Sequence, residues 1–267
     1  MKPTPIFSRI QTGADCYDDV DKASYSGISI KTFIFFTITM LVAIATSTVM
    51  LLMINRAIDA KGTDEMATDW IVYSSIGAIV SVIVATIAGL VGRLSDKAAK
   101  VCIAIYSIAE GFALGFVTGI VEAAYPGYYI GTLAVFGTVV IFAVMLVLFA
   151  TGIIRNGSFF RRFVLSVLIS AIALSLFTTL FLVISGLFSR LSGSFLFLIF
   201  AVELLYLIYA CLSLVFNFSE AQACVNGGCR KESEWSVALG LLITLAYIYI
   251  QLLRIIVLLL EIFGKKN

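Results

Sequence analysis

The chain has 267 residues, of which 61% are hydrophobic and 13% are charged, and its formal net charge is +2. Soluble domains carry about 25% charged residues, so this composition excludes an ordinary soluble enzyme, and the small net charge excludes a basic face for nucleic acid. Histidine is absent, which excludes histidine-based zinc sites and Ser-His or Cys-His catalysis. We therefore predict a multi-pass membrane protein without enzyme activity, catalytic residues, metal site or cofactor, whose surroundings are the lipid bilayer.

Hydropathy along the chain predicts the membrane-spanning segments. Residues 1–26 form a polar N-terminal tail, in which we find no signal peptide. About 20 apolar residues cross a bilayer, and on this measure residues 27–267 form a single all-α integral domain, a bundle of seven transmembrane helices. The predicted spans are residues 31–54, 70–92, 99–121, 128–152, 162–188, 193–218 and 235–262. The sequence Tyr125-Pro126-Gly127 predicts a tight turn between the third and fourth spans.

The distribution of Lys and Arg predicts the orientation. With the N-terminus in the cytoplasm, twelve of the 18 basic residues lie on the inner side and five on the outer side, and the remaining one, Arg254, lies within the last span. Seven spans then place the C-terminus outside.

Three charged residues lie well inside predicted spans: Glu110, Glu203 and Arg254. Charges at this depth are costly and usually face the bundle interior or a water-filled cavity, so each is a functional candidate. One interpretation is a polar path or gate for an ion. The other is a buried ion pair between Glu203 and Arg254 that only fixes the register of two helices.

Polar residues in the last two spans recur at helical spacing, which predicts one polar stripe on each helix. The stripe of the sixth span contains Glu203, Tyr206, Ala210, Ser213, Asn217 and Glu220, and that of the seventh contains Thr244, Tyr247, Gln251 and Arg254. Because lipid cannot satisfy polar groups, we expect the two stripes to face each other. We also expect Arg254 to lie within ion-pair range of Glu203 or Glu110.

Two further patterns concern packing and thiols. Gly111, Gly115 and Gly119 form a small-xxx-small ridge in the third span, which allows close approach of another helix. Cys224 and Cys229 lie five residues apart in an inner loop, where we expect two free thiols rather than a zinc site.

Several co-linear motifs resemble the Bax inhibitor family, the transmembrane Bax-inhibitor-motif proteins, and in particular its bacterial YccA-like branch. They cover roughly residues 24–262 and comprise Lys31-Thr32, Ala109-Glu110-Gly111 with Leu114-Gly115, Tyr125-Pro126-Gly127, Thr151-Gly152-Ile153-Ile154-Arg155, Phe160-Arg161-Arg162, Glu234-Trp235, Leu239 to Leu245, and Tyr249 to Arg254. The resemblance implies a seven-helix fold with the last helix central, in the bacterial plasma membrane. For some members it implies a pH-dependent calcium leak controlled by one carboxylate on each of the last two helices.

This chain departs from the family at those two positions, which correspond to Asn217 and Gln251. An amide does not titrate near neutral pH, so any pH response must come from Glu110 or Glu203, and we expect it to be weak.

Two functions remain open. The first is a cation leak, passing calcium along a polar seam between the third, sixth and seventh helices, with oxygen ligands from Glu110, Glu203, Asn217 and Gln251. The second is a non-conducting regulatory protein that binds another membrane protein such as a quality-control protease, as the resemblance suggests for some bacterial members.

Overall fold

The computed structural model describes residues 22–59, 65–150 and 193–264. Within these residues the chain forms six long helices, each apolar and long enough to cross a membrane. The predicted all-α class is confirmed for this part of the chain, whereas the predicted span 162–188 and most of the tail 1–26 lie outside the described residues. The helices are α1 (Tyr25–Asp59), α2 (Glu65–Leu94), α3 (Asp96–Ala124), α4 (Ile130–Ala150), α5 (Gly193–Asn226) and α6 (Ser233–Gly264).

Most of the helices extend beyond the hydropathy-predicted spans. The helix α1 begins at Tyr25, within the segment predicted as tail, and α5 continues to Asn226 instead of ending at residue 218. Hydropathy falls where polar residues begin, but backbone hydrogen bonding can continue beyond that point. Helix α5 stops at the Gly227-Gly228 turn, in which Gly228 has φ +66°.

Several threonine hydroxyl groups inside the helices are satisfied locally. Thr32 and Thr39 donate to the carbonyl oxygens of Ile28 and Phe35, four residues earlier, at 2.9 Å each. The same pattern recurs at Thr48, Thr86, Thr118 and Thr138. Such bonds satisfy a hydroxyl group within an apolar helix, so a threonine in these helices is not by itself a sign of function.

Two compact units contain the described residues. The first includes those of Met1–Gly131 and Asn217–Ala246, and the second those of Thr132–Phe216 and Tyr247–Asn267. In the first unit, α2, α3 and α6 contribute to one buried apolar cluster, with Phe35 and Phe36 of α1 packed against it. The cluster contains Ala85, Ala88, Cys102, Ile103, Tyr106, Ala238, Leu239 and Leu242.

The glycine ridge of α3 is covered by α1. A Cβ on Gly111 would lie 2.7 Å from the carbonyl oxygen of Thr39, and one on Gly115 would overlap the carbonyl oxygen of Ala43. A Cβ on Gly119 would lie 2.7 Å from Cβ of Met50. The ridge therefore brings two backbones together inside the chain, as small residues do in membrane helices.

Helix α6 is the most buried of the six described helices. In its most apolar segment 56% of the residues are buried, compared with 28–44% in the other five. Its polar residues Gln251 and Thr244 are therefore removed from lipid and must find partners within the chain.

Candidate functional site

The first polar group, which we call the Glu203 cluster, consists of Glu203, Gln251 and Arg254 and lies in the second unit. Gln251 Nε2 donates a hydrogen bond to Glu203 Oε2 at 3.1 Å, and Arg254 Nη1 lies 3.5 Å from Glu203 Oε1. Glu203 is thus one of the two partners that the sequence analysis expects for Arg254. The polar stripes of α5 and α6 supply all three side chains.

Exposure differs sharply within the Glu203 cluster. Gln251 is 1% exposed, and the side chains of Glu203 and Arg254 are 13% and 54% exposed. The interpretation as a buried ion pair therefore holds for Glu203 but not for Arg254, whose side chain is half-exposed. The better-protected contact of the carboxylate is its hydrogen bond with the amide.

The second polar group, the Asn217 cluster, lies in the first unit and joins α2, α5 and α6. Asn217 Nδ2 donates to the carbonyl oxygen of Gly240 at 3.2 Å and also to the hydroxyl of Thr244. Arg93 Nη1 donates to Glu220 Oε2 at 2.9 Å, one helical turn further along α5. Four of these residues carry side chains that would be costly to bury alone, and each has a partner here.

Gly240 connects the two halves of the Asn217 cluster. A Cβ at this position would overlap Arg93 Nη1 and would lie 3.4 Å from Asn217 Oδ1. The guanidinium of Arg93 therefore occupies the space that a side chain at position 240 would fill, and from there it binds Glu220. The glycine falls in the segment Leu239–Leu245, but only the structure shows what occupies the space beside it.

Glu110 stands apart from both clusters. It is half-buried in the middle of α3, one turn after the buried Tyr106. Among the described residues, no hydrogen bond or ion pair to its carboxylate is present. It is therefore the candidate carboxylate with the fewest constraints, next to Gly111, where α1 approaches closely.

The five predicted path residues consequently occupy three places. Glu203, Gln251 and Arg254 lie together in the second unit, Asn217 lies with Arg93 and Glu220 in the first unit, and Glu110 lies separately on α3 of the first unit. Asn217 and Gln251 each bond to a different partner. Among the described residues, no group of three or more acidic or thiol side chains could hold a metal ion.

A charged group that sequence reasoning missed lies where α1 and α6 begin. Glu234, only 1% exposed, pairs with Lys31 and accepts hydrogen bonds from the backbone N–H and the hydroxyl of Ser24. The ring of Trp235 lies 4.7 Å from Lys31 Nζ and 5.8 Å from Lys100 Nζ. The sequence offered a weak signal, since both Lys31 and Glu234-Trp235 belong to the motifs noted above.

Comparison with known proteins addresses the family directly. The family model described as Bax inhibitor 1 like matches residues 4–261. No curated protein and no solved structure gives a significant match. With nearly the whole length matched, and with apolar helices throughout its described part, the chain belongs to the Bax inhibitor 1-like family of multi-pass membrane proteins.

Proposed function

We propose that this protein is a cation leak of the bacterial plasma membrane that passes calcium along the polar side chains of α3, α5 and α6. The observation that carries the proposal is the Glu203 cluster. Ionisable side chains in membrane-spanning helices are costly and commonly mark ion or proton pathways, and here a carboxylate lies between an amide and an arginine. Carboxylate and amide oxygens are the ligands that calcium prefers.

The contacts assign different roles to the two partners of Glu203. Gln251 orients the carboxylate from a buried position and adds a carbonyl oxygen as a possible ligand. Arg254 competes with a cation for the same carboxylate, since its guanidinium lies 3.5 Å away. An entering calcium ion would therefore displace Arg254 and keep Gln251.

The test is calcium flux into liposomes that contain the purified protein and an enclosed fluorescent indicator. We expect Glu203→Gln to lower the initial flux roughly tenfold, which corresponds to about 1.4 kcal/mol of lost interaction with the ion. Glu110→Gln is the second variant, because that carboxylate has no bonded partner in the described residues. Glu232→Gln, an exposed carboxylate in the loop before α6, is the matched control and should leave the flux unchanged.

The variant Arg254→Met distinguishes an ion path from an ion pair with a purely structural role. If Arg254 competes with calcium, its removal should raise the flux, whereas a purely structural pair should lose activity when either partner is removed. Flux no greater than that of empty vesicles at both acidic and neutral pH would refute the leak.

Contacts among helix ends support a count of seven crossings with the N-terminus inside. Ser233 donates to Asp96 Oδ2 at 3.2 Å, and Ala23 N–H donates to the carbonyl oxygen of Cys229 at 2.8 Å. The starts of α1, α3 and α6 therefore share one face of the membrane, which carries Lys31 and Lys100. Three described helices, α3, α4 and α5, separate the start of α3 from that of α6, and we propose the predicted span 162–188 as the fourth crossing that would make this number even.

The alternative function, binding of another membrane protein, loses one of its supports. An exposed face of small residues would favour this function, whereas α1 covers Gly111, Gly115 and Gly119 within the chain itself. It becomes the preferred function if the flux experiment gives no calcium entry.

A further inference from the structure

The C-terminal cap of α5 brings two cysteine side chains together. Cys229 N–H donates to the carbonyl oxygen of Cys224 at 3.0 Å, and Gly228 N–H donates to that of Val225 at 3.2 Å, with Gly228 at φ +66°. This pair of bonds around a left-handed glycine is the Schellman motif. In that motif the side chains at the two ends of the longer bond contact each other, usually as hydrophobic residues. In this chain both are cysteines.

The two sulfur atoms differ in access. Both residues are free thiols, and the side chain of Cys224 lies beside that of Cys229. Cys224 is 2% exposed, whereas Cys229, in the turn beyond the helix, is half-buried. A reagent from water therefore reaches Cys229 first.

The neighbouring Cys224 thiol lowers the pKa of the Cys229 thiol below its ordinary value, against the opposing effects of burial and of the Asp96 carboxylate. The thiolate is the nucleophilic form of cysteine. An accessible thiol of lowered pKa beside a second thiol is the arrangement that oxidation-sensitive cysteines require.

We propose that Cys224 and Cys229 form an oxidisable dithiol, which a hydroperoxide converts to an intramolecular disulfide across the cap of α5. The Cys229 thiolate attacks one oxygen of hydrogen peroxide, the O–O bond breaks, and a sulfenic acid and hydroxide result. Cys224 then attacks the sulfenic sulfur, the S–S bond forms and water leaves. In total, two thiols and one peroxide give one disulfide and two waters. This site is independent of the proposed ion leak.

Oxidation at this position would affect the turn after α5 to which the segment before α1 is hydrogen-bonded. The carbonyl oxygen of Cys229 accepts the N–H of Ala23, just before α1 begins. The disulfide would covalently close the turn that holds this contact. The bond is reversible, as is typical of disulfides that form inside cells.

The experiment uses the full-length protein with Cys16, Cys102 and Cys211 replaced by alanine, so that only the pair remains. It is treated with hydrogen peroxide, alkylated with N-ethylmaleimide and weighed as the intact protein. We expect loss of two hydrogen atoms, no alkylation, and recovery of both thiols with dithiothreitol. Two alkylated thiols after treatment, or addition of oxygen without loss of hydrogen, would overturn the proposal. If this variant does not fold, peptide mapping of the wild type gives the same readout, with Cys102 and Cys211 expected to stay alkylatable.

Variants of the cap test the geometry separately from the thiols. Gly228→Val opposes the left-handed conformation and should slow disulfide formation roughly fivefold, whereas Gly228→Asn tolerates it and should oxidise at nearly the wild-type rate. Cys224→Ser should stop the reaction at the sulfenic acid of Cys229, which dimedone traps. Equal rates for the valine and asparagine variants would show that the cap does not pair the thiols, and would contradict the proposal.

Discussion

Glu203 has two partners in different environments, and their exposure decides which one matters for stability. The hydrogen bond to Gln251 lies in the interior, whereas Arg254 is 54% exposed. Long arginine side chains on membrane helices extend toward the interface, and ion pairs that reach water contribute little, about 0–1 kcal/mol. A buried amide that loses its partner costs more, about 1–3 kcal/mol.

We therefore expect Glu203→Leu to destabilise the protein by about 1–2 kcal/mol and Arg254→Met by less than about 1 kcal/mol. Unfolding in mixed detergent micelles measures both. The double variant Glu203→Leu/Gln251→Leu should regain much of the loss, because it removes the unpaired amide as well. A larger loss for Arg254→Met than for Glu203→Leu would show that the arginine is the main partner.

Gly240 makes a second prediction at the level of one residue. A Cβ there overlaps the guanidinium of Arg93, so Gly240→Ala should displace it from Glu220 and cost about 2 kcal/mol, since Glu220 is buried and would lose its ion-pair partner. The matched comparison is Gly240→Ala in an Arg93→Ala/Glu220→Gln background, where we expect a much smaller effect. Equal losses of stability in both backgrounds would show that the new Cβ clashes with something other than the Arg93–Glu220 pair.

The approach of α1 to α3 makes a prediction for whole helices. A Cβ on Gly115 would meet the backbone of Ala43, with Ala43 Cα at 2.9 Å. Backbone atoms cannot move aside singly, so Gly115→Ala should separate the two helices and cost about 1–3 kcal/mol. Gly77→Ala in α2 is the control, since its Cβ would lie an ordinary 3.4 Å from the ring of Phe112. The control should be neutral or stabilising by up to about 1 kcal/mol, and an equal loss would contradict the role of the ridge.

The helices also show which features the sequence could and could not supply. Steps of three and four residues predicted polar stripes on α5 and α6, and the bonds Asn217–Thr244 and Gln251–Glu203 join them. The ion pair of Arg93 with Glu220 was not predictable. Its partners lie 127 residues apart, and an arginine at the end of a span has the same pattern as an orientation anchor. Helix ends were misplaced because hydropathy reports the apolar core, whereas backbone hydrogen bonding decides where a helix ends, as at the glycine turn after α5.

For the whole molecule, the contacts among the N-terminal ends of α1, α3 and α6 constrain the path of the chain. Asp96 at the start of α3 contacts Ser233 at the start of α6, and Lys31 near the start of α1 pairs with Glu234. Two helix starts share a face only if an even number of crossings separates them. The starts of α1 and α3 satisfy this condition, because two helices, α1 and α2, lie between them. Between the second and third starts, α3, α4 and α5 count three crossings, and the proposed span 162–188 would supply the fourth.

We therefore expect reporter proteins fused after Gly157 and after Arg190 to lie on opposite sides of the membrane, the first in the cytoplasm and the second outside. The excess of basic residues on the face of Lys31 and Lys100 sets the direction. An alkaline phosphatase fusion is active only outside, and a green fluorescent protein fusion folds in the cytoplasm, so the two reporters give opposite signals at each point. A fusion after Asn267 should report outside, because seven crossings separate it from a cytoplasmic N-terminus. If the fusions after Gly157 and Arg190 instead report the same side, the chain makes no crossing between them. The contacts among the starts of α1, α3 and α6 would then be incompatible with all six described helices crossing the membrane.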